Sequence, residues 1–314
     1  MGPAVEIEST RSLALAAAER VWSWEIPVYL FLGGVVAGIM MAVSVAILLG
    51  GRERVTRGMR VGLLLAPVLL SLGMGALFLD LTYKTHVLRF YTTLNVTSPM
   101  SLGSWILLLV FPVQLLLVLA APHDRLAPHL ERAPRLRAVR DWAAEHARGV
   151  AIVGLVLGVG LGAYTGLLLA TTVARPLWSS GALGLLFLVS GASTGVATLM
   201  VLEADEATHD ALARVDLALI GIELLAMVLW LAGLAAQGPL YREAAAQVIT
   251  GPYAPAFLGM VVFGGMLVPL VLESASLRGK AMHSRWVPAL VIAGGLLLRF
   301  VVVYAGQDVG FVTG

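Results

Sequence analysis

Eight separate apolar runs, each long enough to cross a lipid bilayer as a helix, leave this chain few folds to choose from. A helix needs about 20 apolar residues to cross the hydrocarbon core. The runs are 26–50, 59–80, 101–121, 149–172, 179–202, 214–236, 254–273 and 286–306. Of 314 residues, 59% are hydrophobic and only 13% charged, a balance a soluble fold of this length does not tolerate. The predicted class is an all-α integral membrane protein, a bundle of eight transmembrane helices. It divides into an N-terminal segment, 1–25, a membrane domain, 26–306, with a long loop at 122–148, and a tail, 307–314. Pro112 and Pro269 lie inside spans, where proline kinks a helix more often than it ends one. The N-terminal 25 residues carry Glu6, Glu8, Glu19 and Glu25 and no basic n-region, so no cleaved signal peptide is expected.

Loop charge sets the predicted orientation. The loops at 51–58, 122–148, 203–213 and 274–285, with adjoining helix ends, hold 14 Lys and Arg. The N-terminus, the loops at 81–100, 173–178 and 237–253, and the C-terminus hold 6. That excess puts both termini outside, in the periplasm of a Gram-negative cell or its equivalent. The pI of about 9.1 does not point to nucleic acid, because the arginines are scattered over short loops. In the loop at 122–148, Arg135, Arg137, Arg140 and Trp142 suit a surface helix on anionic lipid or a docking site. Glycines at small-xxx-small spacing, such as Gly34 and Gly38, Gly154, Gly158 and Gly162, and Gly191 and Gly195, suit close helix contact.

Redox metals find no ligands here. The chain has no cysteine, so it can hold no iron–sulfur cluster. His86, His123, His129, His146, His209 and His283 all fall in loops or at helix ends, which leaves a membrane b-type haem without axial ligands. The motif SGASTG at 190–195 superficially suggests a serine hydrolase, but no histidine in a facing span serves Ser193.

Ionisable groups inside spans are costly and usually functional. Glu223 lies near mid-membrane, as a hydrogen-bonded acid or as a proton-relay carboxyl. Arg299, in the outer half of the last span, keeps its charge and needs an acidic partner, a carbonyl cage or an anion. Asp80 and Asp308 are candidate partners from outer helix ends. On the inner side, Glu203, Asp205, Glu206, Asp210, Asp216 and Glu273 form either solvated loop charge or the mouth of a proton path. Glu25 opens the first span, next to an aromatic pair, Trp22 and Trp24.

The stretch GAYTGLLLATTVARPLW, at 162–178, puts a phenol (Tyr164) and hydroxyls (Thr165, Thr171, Thr172) in the outer half of the fourth span. A phenol there can donate to a quinone carbonyl, accept from a quinol hydroxyl, or simply bond a neighbouring helix.

The sequence resembles the NrfD/polysulfide-reductase membrane-subunit family nearly end to end. The matching stretches are WSWEIPVYLFLGGVVAG at 22–38, LFLDL at 77–81, TSPMSLGSW at 97–105, LGAYTGLLLATTVARPLW at 161–178, LFLVSGASTG at 186–195, IGIELL at 220–225 and LRFVVVYAGQ at 298–307. The resemblance implies a quinone-reactive anchor without haem, in a bacterial or archaeal cytoplasmic membrane. It implies a ferredoxin-like iron–sulfur partner on the outer side, serving a molybdopterin or multihaem catalytic subunit. The family's fourth-span tyrosine matches Tyr164. Some relatives carry amide and imidazole side chains where this sequence has Ile26 and Tyr29, while others have the tyrosine.

The expected function is therefore exchange of electrons with menaquinone or ubiquinone near the outer face. Tyr164 would bond the quinone oxygen, with Glu25, Tyr29 and Asp80 shaping the pocket or exchanging protons, and Arg175 and Trp178 fixing its rim. Glu223, Arg299, Asp216 and Glu273 would form a proton path. The outer loop at 81–100, long and aromatic, suits partner docking. The rival readings are a proton channel or transporter without redox chemistry, and a purely structural anchor.

Overall fold

The structure, a computed structural model, describes residues 22–81, 99–171, 175–279 and 285–308. Eight helices are long and apolar enough to cross a membrane, and no strand occurs among the described residues. They include α1 (Glu25–Gly50), α2 (Arg57–Asp80) and α3 (Pro99–Ala120). Two short helices follow, α4 (Ala127–Arg132) and α5 (Pro134–Glu145). Then come α6 (Ala147–Ala170), α7 (Ala182–Leu202), α8 (Glu206–Gln237) and a short α9 (Pro239–Ile249). The seventh span begins as a π-helix (Pro255–Leu267) and continues as α10 (Val268–Leu277); α11 (Trp286–Asp308) is the eighth. With eight crossings, the start of α1 and the end of α11 share one end of the bundle. We call it the terminal end, and the opposite one the basic end.

The spans sit where hydropathy places them, with differences at the edges. The sixth starts eight residues earlier than 214, at Glu206, because Asp205 accepts from the Thr208 N–H (2.9 Å) and caps a polar first turn. A helix extended by capping beyond the apolar run leaves no trace in hydropathy. Similarly, Thr171 caps α6 instead of lying inside it. Pro67 joins Pro112 and Pro269 as a proline inside a helix. The loop at 122–148 folds into α4 and α5, with Leu136, Val139 and Trp142 of α5 exposed. The docking loop falls outside the described residues from 82 to 98, as do Thr172, His86, His283 and most of both terminal segments.

α1 is apolar all round, and its surroundings explain why: α2, α6, α7 and α11 all pack on it. Two-thirds of its apolar window, 67%, is enclosed by protein, as is that of α7, against 28–50% for the other spans. Glycine makes the α1–α7 contact possible. A Cβ on Gly38 would stand 2.8 Å from Gly195 Cα, and one on Gly191 would stand 3.0 Å from Gly34 Cα. The two small-xxx-small pairs in the sequence therefore face each other.

Aromatic and amide groups lock the terminal end. Trp22 stacks on Trp178, with ring centroids 5.1 Å apart. Trp178 donates its Nε1–H to the Val302 carbonyl at 2.8 Å. Gln307 clasps the Trp22 peptide, accepting from its N–H (2.8 Å) and donating to its carbonyl (3.0 Å). The entry to α1, the α6–α7 connection and the end of α11 are thus fastened together.

Candidate functional site

The phenol of Tyr164 ends against α3. A Cβ added to Gly103 would overlap it, so glycine is what lets the ring lie there. The neighbouring hydroxyls are already engaged by their own helix: Thr165 donates to Gly162 O (2.7 Å) and Thr171 to Leu168 O (2.8 Å). Tyr164 differs. Its residue is buried, 8% exposed, and no hydrogen bond to its hydroxyl occurs among the described residues. Gly103→Ala is expected to push the ring aside while leaving α3 helical, which weakens any ligand held by the phenol. Binding of a quinone-site inhibitor, with helicity followed by circular dichroism, checks it.

Other candidate residues gather at the same end. Asp80, the last residue of α2, lies close enough to Glu25 for the two carboxylates to repel. Glu25 Oε2 is buried with no partner among the described residues. Tyr29 is fully buried, one turn below Glu25, and its ring faces α2 at Gly73. One turn further, a Cβ on Gly33 would stand 3.4 Å from Thr165 Cγ2, which brings α1 beside the Tyr164 segment. Arg175 and Trp178 serve the lock described above. The Arg175 guanidinium donates to the Gln307 carbonyl, and burial lowers its pKa while Asp308 opposes the shift.

A second set of polar groups runs through the bundle interior. Arg299 is fully buried. It donates to Ser190 Oγ, to Gly295 O (2.9 Å) and to Phe187 O (3.2 Å), and its guanidinium lies 5.0 Å from the Phe187 ring centroid. Neither Asp80 nor Asp308, the acidic partners the sequence suggests, meets it. Asp308 accepts from Tyr253 Oη at 2.5 Å instead. The charged neighbour of Arg299 is Glu223, with the Ser190 hydroxyl between them. Ser193 donates to Asp216 Oδ1 at 2.6 Å. Asp216 lies within electrostatic reach of Glu223 on one side and Glu273 on the other. Asp216 Oδ2 and both Glu273 oxygens are buried and unpartnered among the described residues.

Helix geometry aligns this series. The buried residues of α8 include Ala213, Asp216, Ile220, Glu223, Met227, Trp230 and Leu234, alternating three and four apart. Such spacing keeps them on one face. Asp216 and Glu223 are two turns apart, about 10 Å along the axis. Glu273 lies four residues from the basic end of α10. The inner acidic set of the sequence thus splits. Glu203 accepts from the Thr56 hydroxyl and two backbone amides, Asp205 caps α8, and Asp216 and Glu273 are buried. Ser190, Ser193 and Gln307 have roles the sequence reading did not assign. The two serines are three apart on α7, a spacing that puts both on the face turned to α8 and α11.

Comparison with known proteins gives a consistent result. The family model described as polysulphide reductase, NrfD, matches residues 14–310. A polysulfide reductase subunit of Wolinella succinogenes is 33% identical over 91% of this sequence and 94% of its own length. Protein NrfD of Escherichia coli is 31% identical over 95% of this sequence and 98% of its own. A protein NrfD homolog of Haemophilus influenzae is 25% identical, over 91% of this sequence and 94% of its own. With a family match over nearly the whole length and a multi-pass helical fold, the protein belongs to the NrfD polysulphide reductase family.

Proposed function

We propose that this protein is the quinone-reactive membrane subunit of a respiratory oxidoreductase complex. It exchanges electrons between menaquinone or ubiquinone and an iron–sulfur partner of ferredoxin type. That partner serves a molybdopterin or multihaem catalytic subunit. The terminal end faces the outside of a bacterial or archaeal cytoplasmic membrane, in keeping with the arginine-rich loops at the other end. The observation that carries the reading is the Tyr164 ring, enclosed beside Gly103 with no hydrogen bond to its hydroxyl among the described residues. The family membership and the name of the W. succinogenes relative, part of a reductase, favour a subunit role.

A bound quinone supplies a couple of two electrons and two protons. The residues present fit its polar head: a phenol, and a carboxylate oxygen, Glu25 Oε2, with no partner for either among the described residues. Tyr164 orients the head by bonding one oxygen. Glu25 and Asp80, close enough for their carboxylates to interact, would shape the pocket at the quinone head. Tyr29 forms the α1 wall, and Arg175 and Trp178 hold the rim by fastening it to α11. Arg299, Glu223, Asp216 and Glu273 form the proton route toward the basic end, the two carboxyls of α8 lying about 10 Å apart along its axis.

The buried carboxyl series alone also suits a proton channel without redox chemistry, and purification separates the two. The native complex is expected to contain a cluster-bearing subunit, and the protein to bind a quinone-site inhibitor. A protein that purifies alone, binds no quinone analogue and conducts protons in liposomes would instead be a channel.

A further inference from the structure

Toward the basic end, a cavity of about 580 Å³ opens between α1 and α8, within the range of about 300–1,000 Å³ typical of ligand clefts. Its α1 wall runs from Gly38 to Leu49 and its α8 wall from Ala207 to Leu219. The helical rise over each of those stretches is about 16–18 Å. That is close to half of the about 30 Å hydrocarbon core, the depth of one leaflet. Its side is open, because Val45, Leu49 and Val215 are exposed. The depth and the lateral opening suit a single acyl tail entering from lipid.

The polar side chains on its wall are Arg54 and Thr208, both at the basic end. Thr208 is spent on Asp205, to which its hydroxyl donates at 2.6 Å. Nearby arginines are also engaged: Arg52 donates to Ala120 O (3.4 Å) and Arg60 pairs with Asp124 (3.3 Å). The guanidinium of Arg54 has no hydrogen bond or ion pair among the described residues, and its stem packs on Gly50. It therefore sits at the headgroup level of the groove, positive and unpaired. A quinone head would need hydrogen-bonding groups along the groove, and none of the α1 side chains that line it carries one.

We propose that this groove is a binding site for one anionic phospholipid of the leaflet at the basic end. One acyl tail fills the α1–α8 cleft, and the phosphate rests on Arg54. The lipid covers apolar surface where α1 and α8 leave space between them, and it buttresses the α8 turn below Asp216. The occupancy is independent of the quinone site at the opposite end.

The test is native mass spectrometry of the full-length protein in mild detergent with equal amounts of dioleoyl-phosphatidylglycerol and dioleoyl-phosphatidylcholine. The first retained lipid is expected to be phosphatidylglycerol, by about fivefold, the effect of one basic residue near an anionic surface. Arg54→Gln is expected to bring the two lipids to parity, and Ala46→Phe, which fills the cleft, to lose both. Equal retention by the unmodified protein, an unchanged preference in Arg54→Gln, or displacement of the lipid by equimolar menaquinone-4 would overturn the assignment. Arg54 is exposed, so its variant tests the site even if Ala46→Phe fails to fold.

Discussion

Glu223→Leu is expected to destabilise the bundle more than Arg299→Met, although the two residues face each other. An arginine does not give up its charge, whereas a buried carboxyl can take a proton. Removing Glu223 leaves a buried cation whose remaining support among the described residues is Ser190, two carbonyls and the Phe187 ring, with no counter-charge. Breaking a buried charge pair in this way costs about 3–5 kcal/mol. Removing Arg299 leaves an acid that can become neutral and keep the Ser190 hydroxyl, at a cost of about 1–3 kcal/mol. The double variant is expected to recover much of the loss in Glu223→Leu, because no charge is then stranded. Thermal melting of the purified protein in detergent measures all three. Equal losses in the two single variants would mean that the charge of Arg299 is neutralised by something other than Glu223.

Gly195→Ala is expected to have a large effect for a single methyl group. A Cβ at Gly195 would meet Ile39 N at 2.6 Å, and backbone cannot move aside as a side chain can. α1 and α7 must separate, at a cost in the upper part of the about 1–3 kcal/mol seen for overpacking. The disturbance also reaches the site. Gly34 lies one turn from Gly38, and a Cβ there would stand 3.2 Å from Arg299 Nη2, so the α1–α7 contact helps enclose the guanidinium. Gly160→Ala is the control, since nothing lies within 4 Å of an added methyl there. Its melting temperature is expected to match the parent within error. A similar drop in both variants would remove the packing explanation.

Hydropathy was enough to locate the eight spans, because twenty apolar residues in a row have few alternatives in water or lipid. Polar extensions were invisible to it: the first turns of α8 and the whole of α9 lie outside the apolar runs and depend on caps and prolines. The glycine spacings forecast close contact, yet not which helices would meet. Gly38 and Gly195 are brought together by tertiary packing alone. The same limit hid the partner of Arg299. Asp80 and Asp308 are near it in predicted depth, but depth does not fix the direction a helix face points. The seam of α8 does carry that information, since Asp216 and Glu223 keep the three–four spacing of its buried residues. The Trp22–Trp178–Gln307 lock joins segments as much as 285 residues apart, with no local signal in any of them. Tyr164 was legible as a phenol set in an apolar helix. That Gly103 makes room for it was not.

The quinone assignment rests most directly on the Tyr164 hydroxyl, so quinol turnover by Tyr164→Phe in the assembled complex is the deciding measurement. Phenylalanine keeps the ring against Gly103 and removes only the donor and acceptor. Loss of one hydrogen bond, about 1–1.5 kcal/mol, is expected to weaken inhibitor binding and lower kcat/KM for quinol by about tenfold, with the complex intact. Unchanged turnover and unchanged inhibitor binding in a fully assembled Tyr164→Phe complex would contradict a quinone site at this residue.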